Sequence, residues 1–214
     1  MTGVQTCALP IYLFILTRDY DISFRQWING SISTKPLPPS SVELNNTLSP
    51  SLNLIKSVSD EVVYHPVSYT VLFGSKALPE LQATFKVIKN QEQVISDNEV
   101  KSRIVTAINQ FFAIENWDFG DTFYFSELSA YVMQQLAPSI TSFVIVPRQG
   151  GVGFGNLFEI TAPSDQIFIN GATVNDIEIV SSLTPTVLKA IPGTLSNTTT
   201  SQNVTSAPYG ASNG

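Results

Sequence analysis

Apolar positions recur along this chain in two periods, and the switches between them mark its elements. Residues 62–73, VVYHPVSYTVLF, are rich in β-branched and aromatic side chains, and Pro66 divides the run into two strand pieces or puts it at a sheet edge. Gly74 ends that run, and LQATFKVIK, residues 81–89, alternates as the next strand. The clearest helix follows. Ser96 and Glu99 have capping-box spacing, and Val100, Ile104, Ala107, Ile108 and Phe111 then fall on one face. A turn over residues 116–120 leads into a short aromatic strand, 122–125. Ser126 stands where it would cap a second helix, whose face carries Leu128, Tyr131, Val132 and Leu136 and which Pro138 stops. TSFVIVP, residues 141–147, is nearly continuous in apolar side chains, the pattern of a central strand covered on both faces.

Residues 157–161, 166–169 and 176–180 read as further strands, with Asn170-Gly171 a turn signal. Upstream, Phe24, Trp27 and Ile28 share one face of a short helix that Asn29-Gly30 would end. KPLPPSS, residues 35–41, is an extended connector, and Leu48, Leu52 and Ile55 give a second, weaker helical pattern. This order predicts an α+β (mixed α/β) fold: a small mixed sheet with two packed helices, plus a β-rich C-terminal extension. The domain is expected over residues 60–190, after an N-terminal segment and proline-rich connector over 12–59. Residues 191–214 have almost nothing to bury and are expected to form a flexible polar tail.

The first eleven residues, MTGVQTCALPI, resemble the translated read-through of a common sequencing adapter, so residues 1–11 are expected to be an artefact preceding a truncated native segment. That expectation removes half of the apolar run over residues 8–16, which otherwise resembles a signal-peptide core. The N-x-S/T triplets at Asn29, Asn45, Asn197 and Asn203 then lose their secretory context. The remainder, YLFILT, is too short to span a membrane and reads as the stub of a buried strand or helix. Cys7, the one cysteine, lies inside the adapter-like run, which leaves no disulfide, thiolate metal site or cysteine nucleophile in the rest.

Composition narrows the partners. Hydrophobic residues make up 43% of the chain, with 13 Phe, enough to build a core. The net charge is −6 with no Lys/Arg cluster, which argues against nucleic acid as a direct partner. Charged residues are 13%, against about 25% in ordinary soluble domains. Either much of the surface is covered by other protein, or it is simply polar and rich in Asn, Ser and Thr.

Candidate chemistry is sparse. GGVGFG, residues 150–155, follows a strand but matches neither the dinucleotide fingerprint nor the Walker loop, and no lysine or helix start follows it. His65, the sole histidine, reads as a packing residue. Glu115, Asp118 and Asp121 crowd one turn without the alternating oxygen ligands of a calcium loop and read as a solvated acidic turn. No serine lies in a G-x-S-x-G elbow. The expectation is no enzyme, no cofactor and no metal.

Several segments, in order, carry a family resemblance: SDEVVYHPVSYTVLFG, FKVIK, SDNEVKSRIVTAINQFF, NWDFGDTFYFSELSAYVMQQL, SFVIVP, FGNLFEI and IFINGATVNDIEIVSSL. Together they resemble the C-terminal part of baseplate wedge subunits of large contractile-tailed bacteriophages, in the baseplate J-like group. The likeness is collinear from about residue 24 to residue 183 and fades after residue 191. Its most distinctive block is FGDTFYFSEL, residues 119–128, and the V-x-x-V-like strand of the group is matched by residues 143–146. The resemblance implies a structural subunit of the virion tail baseplate, assembled in the host cytoplasm. It would join neighbouring wedges into the ring around the tail hub and transmit the rearrangement that accompanies sheath contraction. Partners would be other wedge subunits and further copies of the chain, with no nucleic acid and no membrane. Exposed aromatic side chains are expected at the subunit contacts, with Trp27, Phe119 and Phe154 as candidates. The alternative is a secreted adhesion or carbohydrate-binding module.

Overall fold

The computed structural model describes residues 11–53, 62–148, 159–185 and 188. Its elements, in order, are β1 (Ile11–Ile15), α1 (Arg18–Ile28), α2 (Ser41–Leu52), β2 (Val62–Pro66), β3 (Ser68–Leu72), β4 (Ala83–Lys89), α3 (Asp97–Phe111), β5 (Thr122–Tyr124), α4 (Phe125–Leu136), β6 (Ile140–Pro147), β7 (Glu159–Thr161), β8 (Gln166–Asn170) and β9 (Ile177–Ile179). The class is mixed α+β, as the pattern of the sequence predicts.

The central unit is the mixed sheet β6-β4-β9, in which β4 pairs antiparallel with β6 and parallel with β9. Helices α3 and α4 pack on it. Ala83, Phe85 and Val87 of β4 are buried at alternate positions and meet Val100, Ile104 and Ile108 of α3 and Leu128 and Val132 of α4 in one cluster. Helix α3 begins at the expected cap, with the Ser96 hydroxyl accepting from Glu99 N at 3.2 Å, but the reciprocal half of the capping box does not form, because the Glu99 carboxylate accepts from Arg103 Nη2 at 2.6 Å. Three further two-stranded sheets surround this unit: β1-β2 and β3-β8, both parallel, and β5-β7, antiparallel.

The pair β3-β8 is a shared wall, because its period-two alternation sends successive side chains to opposite sides. Tyr69 and Val71 of β3 with Ile167 and Ile169 of β8 face α1, burying Tyr20 and Phe24 in a second cluster. Leu72 and Phe168 face the main core. The helix predicted from Phe24, Trp27 and Ile28 is therefore docked on the sheet. It ends at Ile28 with Asn29 as its C-cap, and Gly30 follows with φ +78°.

Four local expectations are corrected. Strand β6 lies at the edge of its sheet, and β4 occupies the centre. Ser126 does not cap α4: the helix starts at Phe125, so Tyr124 is the boundary residue and Ser126 already sits inside the first turn. Asn170-Gly171 forms no hairpin turn, since β8 pairs with β3 and β9 with β4. Gly171 instead lies where a Cβ would come within 2.7 Å of Val71 Cγ1 and 2.9 Å of the Phe73 carbonyl oxygen. YLFILT does contain a strand, but β1 is largely exposed, with Tyr12 57% accessible. Ile11, counted with the adapter-like run, is its first residue and pairs with Val62. The expected tail over 191–214, Ile55 and the glycine loop over 150–155 lie outside the described residues.

Two buried charges are matched. Lys86 projects from the central strand, almost wholly inaccessible, and its ammonium pairs with the half-exposed carboxylate of Glu178 on β9. Asp176 is buried beside it in sequence. Its carboxylate accepts from Arg148, from Thr173 N at 2.7 Å and from the Thr173 hydroxyl at 3.0 Å, which anchors the start of β9 to the end of β6.

Candidate functional site

The proline connector, residues 35–40, runs between α1 and α2 and separates two depressions of the surface. Its lack of regular structure follows from Pro36, Pro38 and Pro39, which remove three backbone donors and fix φ. It ends where Ser40 caps α2. The Ser40 hydroxyl accepts from Glu43 N at 3.3 Å while Ser40 N donates to Glu43 Oε2 at 2.7 Å, a complete capping box that the reading of residues 35–41 as a plain connector passed over.

On one side is an open groove of about 1010 Å³ lined by Ile15, Arg18, Tyr20, Pro36, Glu43 and Leu44. The Glu43 carboxyl is held below its ordinary value, chiefly by the Ser40 backbone N–H and then by the Ser40 hydroxyl. A carboxylate favoured in the folded state contributes stability above its unfolded pKa, and that contribution is lost as pH falls through the folded value. The start of α2 is therefore expected to loosen below the ordinary glutamate range. Amide exchange at residues 41–46 should accelerate on acidification in the wild type, and Glu43→Gln should flatten that dependence. An unchanged acid response in Glu43→Gln would refute the assignment.

On the other side of the connector lies a smaller depression, about 390 Å³, bounded by Lys35, Leu37, Lys76 and Leu78 with Tyr20 and Tyr69 among its walls. Two lysines that are 41 positions apart in sequence converge here on Trp27. Lys76 Nζ donates to the Trp27 carbonyl oxygen and stands 4.4 Å from the indole centroid, and Lys35 Nζ stands 5.6 Å from it. Beneath them the Tyr69 hydroxyl donates to Asp21 Oδ1, which also receives Arg25 Nε at 2.7 Å. The Tyr69 phenol is pushed well above its usual value, first by burial and next by its bond to the Asp21 carboxylate and that group's charge, with Arg25 opposing. It remains a hydrogen-bond donor throughout the physiological range.

The candidate contact residues meet different fates. Trp27 is not freely exposed: its ring packs on Phe24 at 5.2 Å between centroids and both lysine ammoniums stand over it. Phe119 is exposed, at 39%. Phe154 lies outside the described residues. Gly120 follows Phe119 with φ +79°, the left-handed conformation that the turn reading requires.

Of the acidic turn, Asp121 Oδ2 accepts from Asp118 N at 2.8 Å, whereas Glu115 and Asp118 point to solvent with no ion pair among the described residues. The described residues hold no group of three or more His, Cys, Asp or Glu arranged to bind a metal ion. His65 is stacked on Phe14 at 5.2 Å and tilted against Tyr12 at 5.5 Å, an aromatic packing role on β1-β2 of the kind its sequence context suggests. No described helix is long and apolar enough to cross a membrane. Comparison of the chain with protein-family models and with curated proteins finds no match.

Proposed function

We propose that this chain is a non-enzymatic structural subunit of a contractile-tail baseplate wedge, working in the virion after assembly in the host cytoplasm. The observation that carries the reading is the collinear resemblance over about residues 24–183, centred on FGDTFYFSEL. The exposed apolar side chains are of the kind that subunit contacts use: Leu37 is 83% accessible, and Ile11, Tyr12 and Phe14 lie open along β1. In this role the subunit joins neighbouring wedges around the tail hub and passes on a rearrangement when the sheath contracts. Mechanical work of that kind needs rigid packed bodies meeting at contacts with two arrangements.

The test is sedimentation velocity of the full chain, alone and mixed with the wedge subunits encoded beside it. Self-association or a mixed complex at micromolar concentration is expected. A strict monomer that ignores every baseplate subunit overturns the reading, and turnover abolished by a single carboxylate substitution would replace it with an enzyme.

A further inference from the structure

We propose that the depression bounded by Lys35, Leu37, Lys76 and Leu78 receives the acidic turn carrying Glu115, Asp118 and Phe119 from a second copy of this chain, pairing two subunits about a two-fold axis. The proposal rests on the assembly reading and names one of its contacts.

The argument begins with charge. The chain holds 11 Lys and Arg against 17 Asp and Glu, so two neighbouring cations without a carboxylate partner stand out. Neither Lys35 nor Lys76 forms an ion pair among the described residues, and both ammoniums crowd one indole ring. Their mutual repulsion is relieved by an anion between them. The lining adds an apolar grip, because Leu37 and Leu78 remain 83% and 61% accessible there. A fitting occupant has carboxylates next to an apolar or aromatic side chain.

The chain carries that combination itself. Phe119 stands exposed beside Asp118, with Glu115 close by in sequence, and the two carboxylates are free of ion pairs among the described residues. The turn is preorganised: Asp118 N donates to Asp121 Oδ2, and Gly120 N donates to the Gln166 carbonyl oxygen at 3.1 Å. A segment already held in shape loses little conformational entropy on docking. Gln166 also lines the depression, so key and socket adjoin the same residue. A face that both offers and receives the same contact is self-complementary, and such faces close as two-fold pairs.

The test is charge reversal on the full chain, with circular dichroism to confirm that each variant is folded. Lys35→Glu is the first variant, since its side chain is exposed and makes no hydrogen bond among the described residues; Lys76→Glu is added to it. Reversing the socket or reversing the key with Glu115→Lys and Asp118→Lys should each weaken self-association by about tenfold or more, with the effect shrinking at high salt. Combining both reversals should recover most of the loss, because the charges again face opposites. Wild-type self-association unaffected by either reversal, or a folded combined variant with no recovery, overturns this contact and leaves the assembly reading standing. A wild type that is monomeric alone yet binds a wedge subunit does the same. A wild type that neither self-associates nor binds any baseplate subunit ends both.

Discussion

Replacing Gly74 with alanine should be the most damaging single-methyl change among the described glycines. Gly74 follows Phe73, and the two have φ of +66° and +63°, so the chain leaves β3 through two successive left-handed residues. A side chain in that region costs about 1–2 kcal/mol on its own. The larger cost is a collision: a Cβ on Gly74 would lie 1.9 Å from the carbonyl oxygen of Gly171 and 2.5 Å from its carbonyl carbon. That oxygen belongs to backbone tied back to β3, since Gly171 N donates to Leu72 O at 2.8 Å. Relief requires parting the ends of β3 and β8, the wall between both apolar clusters.

A loss of about 4 kcal/mol or outright insolubility is expected. Two controls separate the causes. Gly30 shares the conformation, φ +78°, but a Cβ there meets nothing within 4 Å, so Gly30→Ala should cost about 1 kcal/mol. Gly120, at φ +79° with Ser164 Cα 3.2 Å from the added Cβ, should fall between. Urea unfolding of the three variants reads the order directly. If Gly74→Ala unfolds with Gly30→Ala, the close approach is not rigid.

The elements that the sequence discloses are those whose reasons are local. Ser96 and the spacing of Val100, Ile104, Ala107 and Ile108 are enough for α3, because a cap and a 3.6-residue period need no distant partner. Pro66 divides β2 from β3 for an equally local reason. Pairing partners are another matter. β3 meets β8 across about a hundred residues, and nothing in either strand specifies the other. An apolar run throughout marks β6 as a central strand, while the actual centre, β4, carries Lys86. The charge that disguised it is neutralised by Glu178 from β9, a strand 92 residues away. Ser126 misled in the opposite way: a good capping residue is present, but β5 runs straight into α4, so the boundary falls earlier than the side chain suggests.

The candidate surface was half legible. An exposed Phe119 next to Gly120 follows from the turn chemistry of NWDFGD. The socket does not, because Lys35 and Lys76 lie on separate loops and only the docking of α1 on β3-β8 brings both over Trp27. A tryptophan on a helix face can be read as a contact residue or as core, and here it is neither alone: its ring packs edge-to-face with Phe24 and carries lysine ammoniums over it.

The contrast between two phenylalanines four positions apart separates folding from association. Phe123 is fully inaccessible and sits at the junction of both helices and the wall strands, with ring centroids 5.2 Å from Phe112, 5.9 Å from Phe73, 4.9 Å from Phe125 and 6.2 Å from Phe168. Truncating it removes the transfer free energy of a phenyl ring and leaves a hole lined by other rings, too rigid to collapse. Phe123→Ala should cost about 3–5 kcal/mol, and Phe123→Leu, which keeps more of the volume, about 1–2 kcal/mol. Phe119→Ala, at the exposed end of the same block, should leave monomer stability within about 0.5 kcal/mol. Its effect should appear instead in sedimentation, as weaker self-association at unchanged unfolding midpoint. If Phe119→Ala lowered stability as much as Phe123→Ala, the turn would belong to the core; if it changed neither stability nor association, Phe119 would have no part in the contact proposed for it.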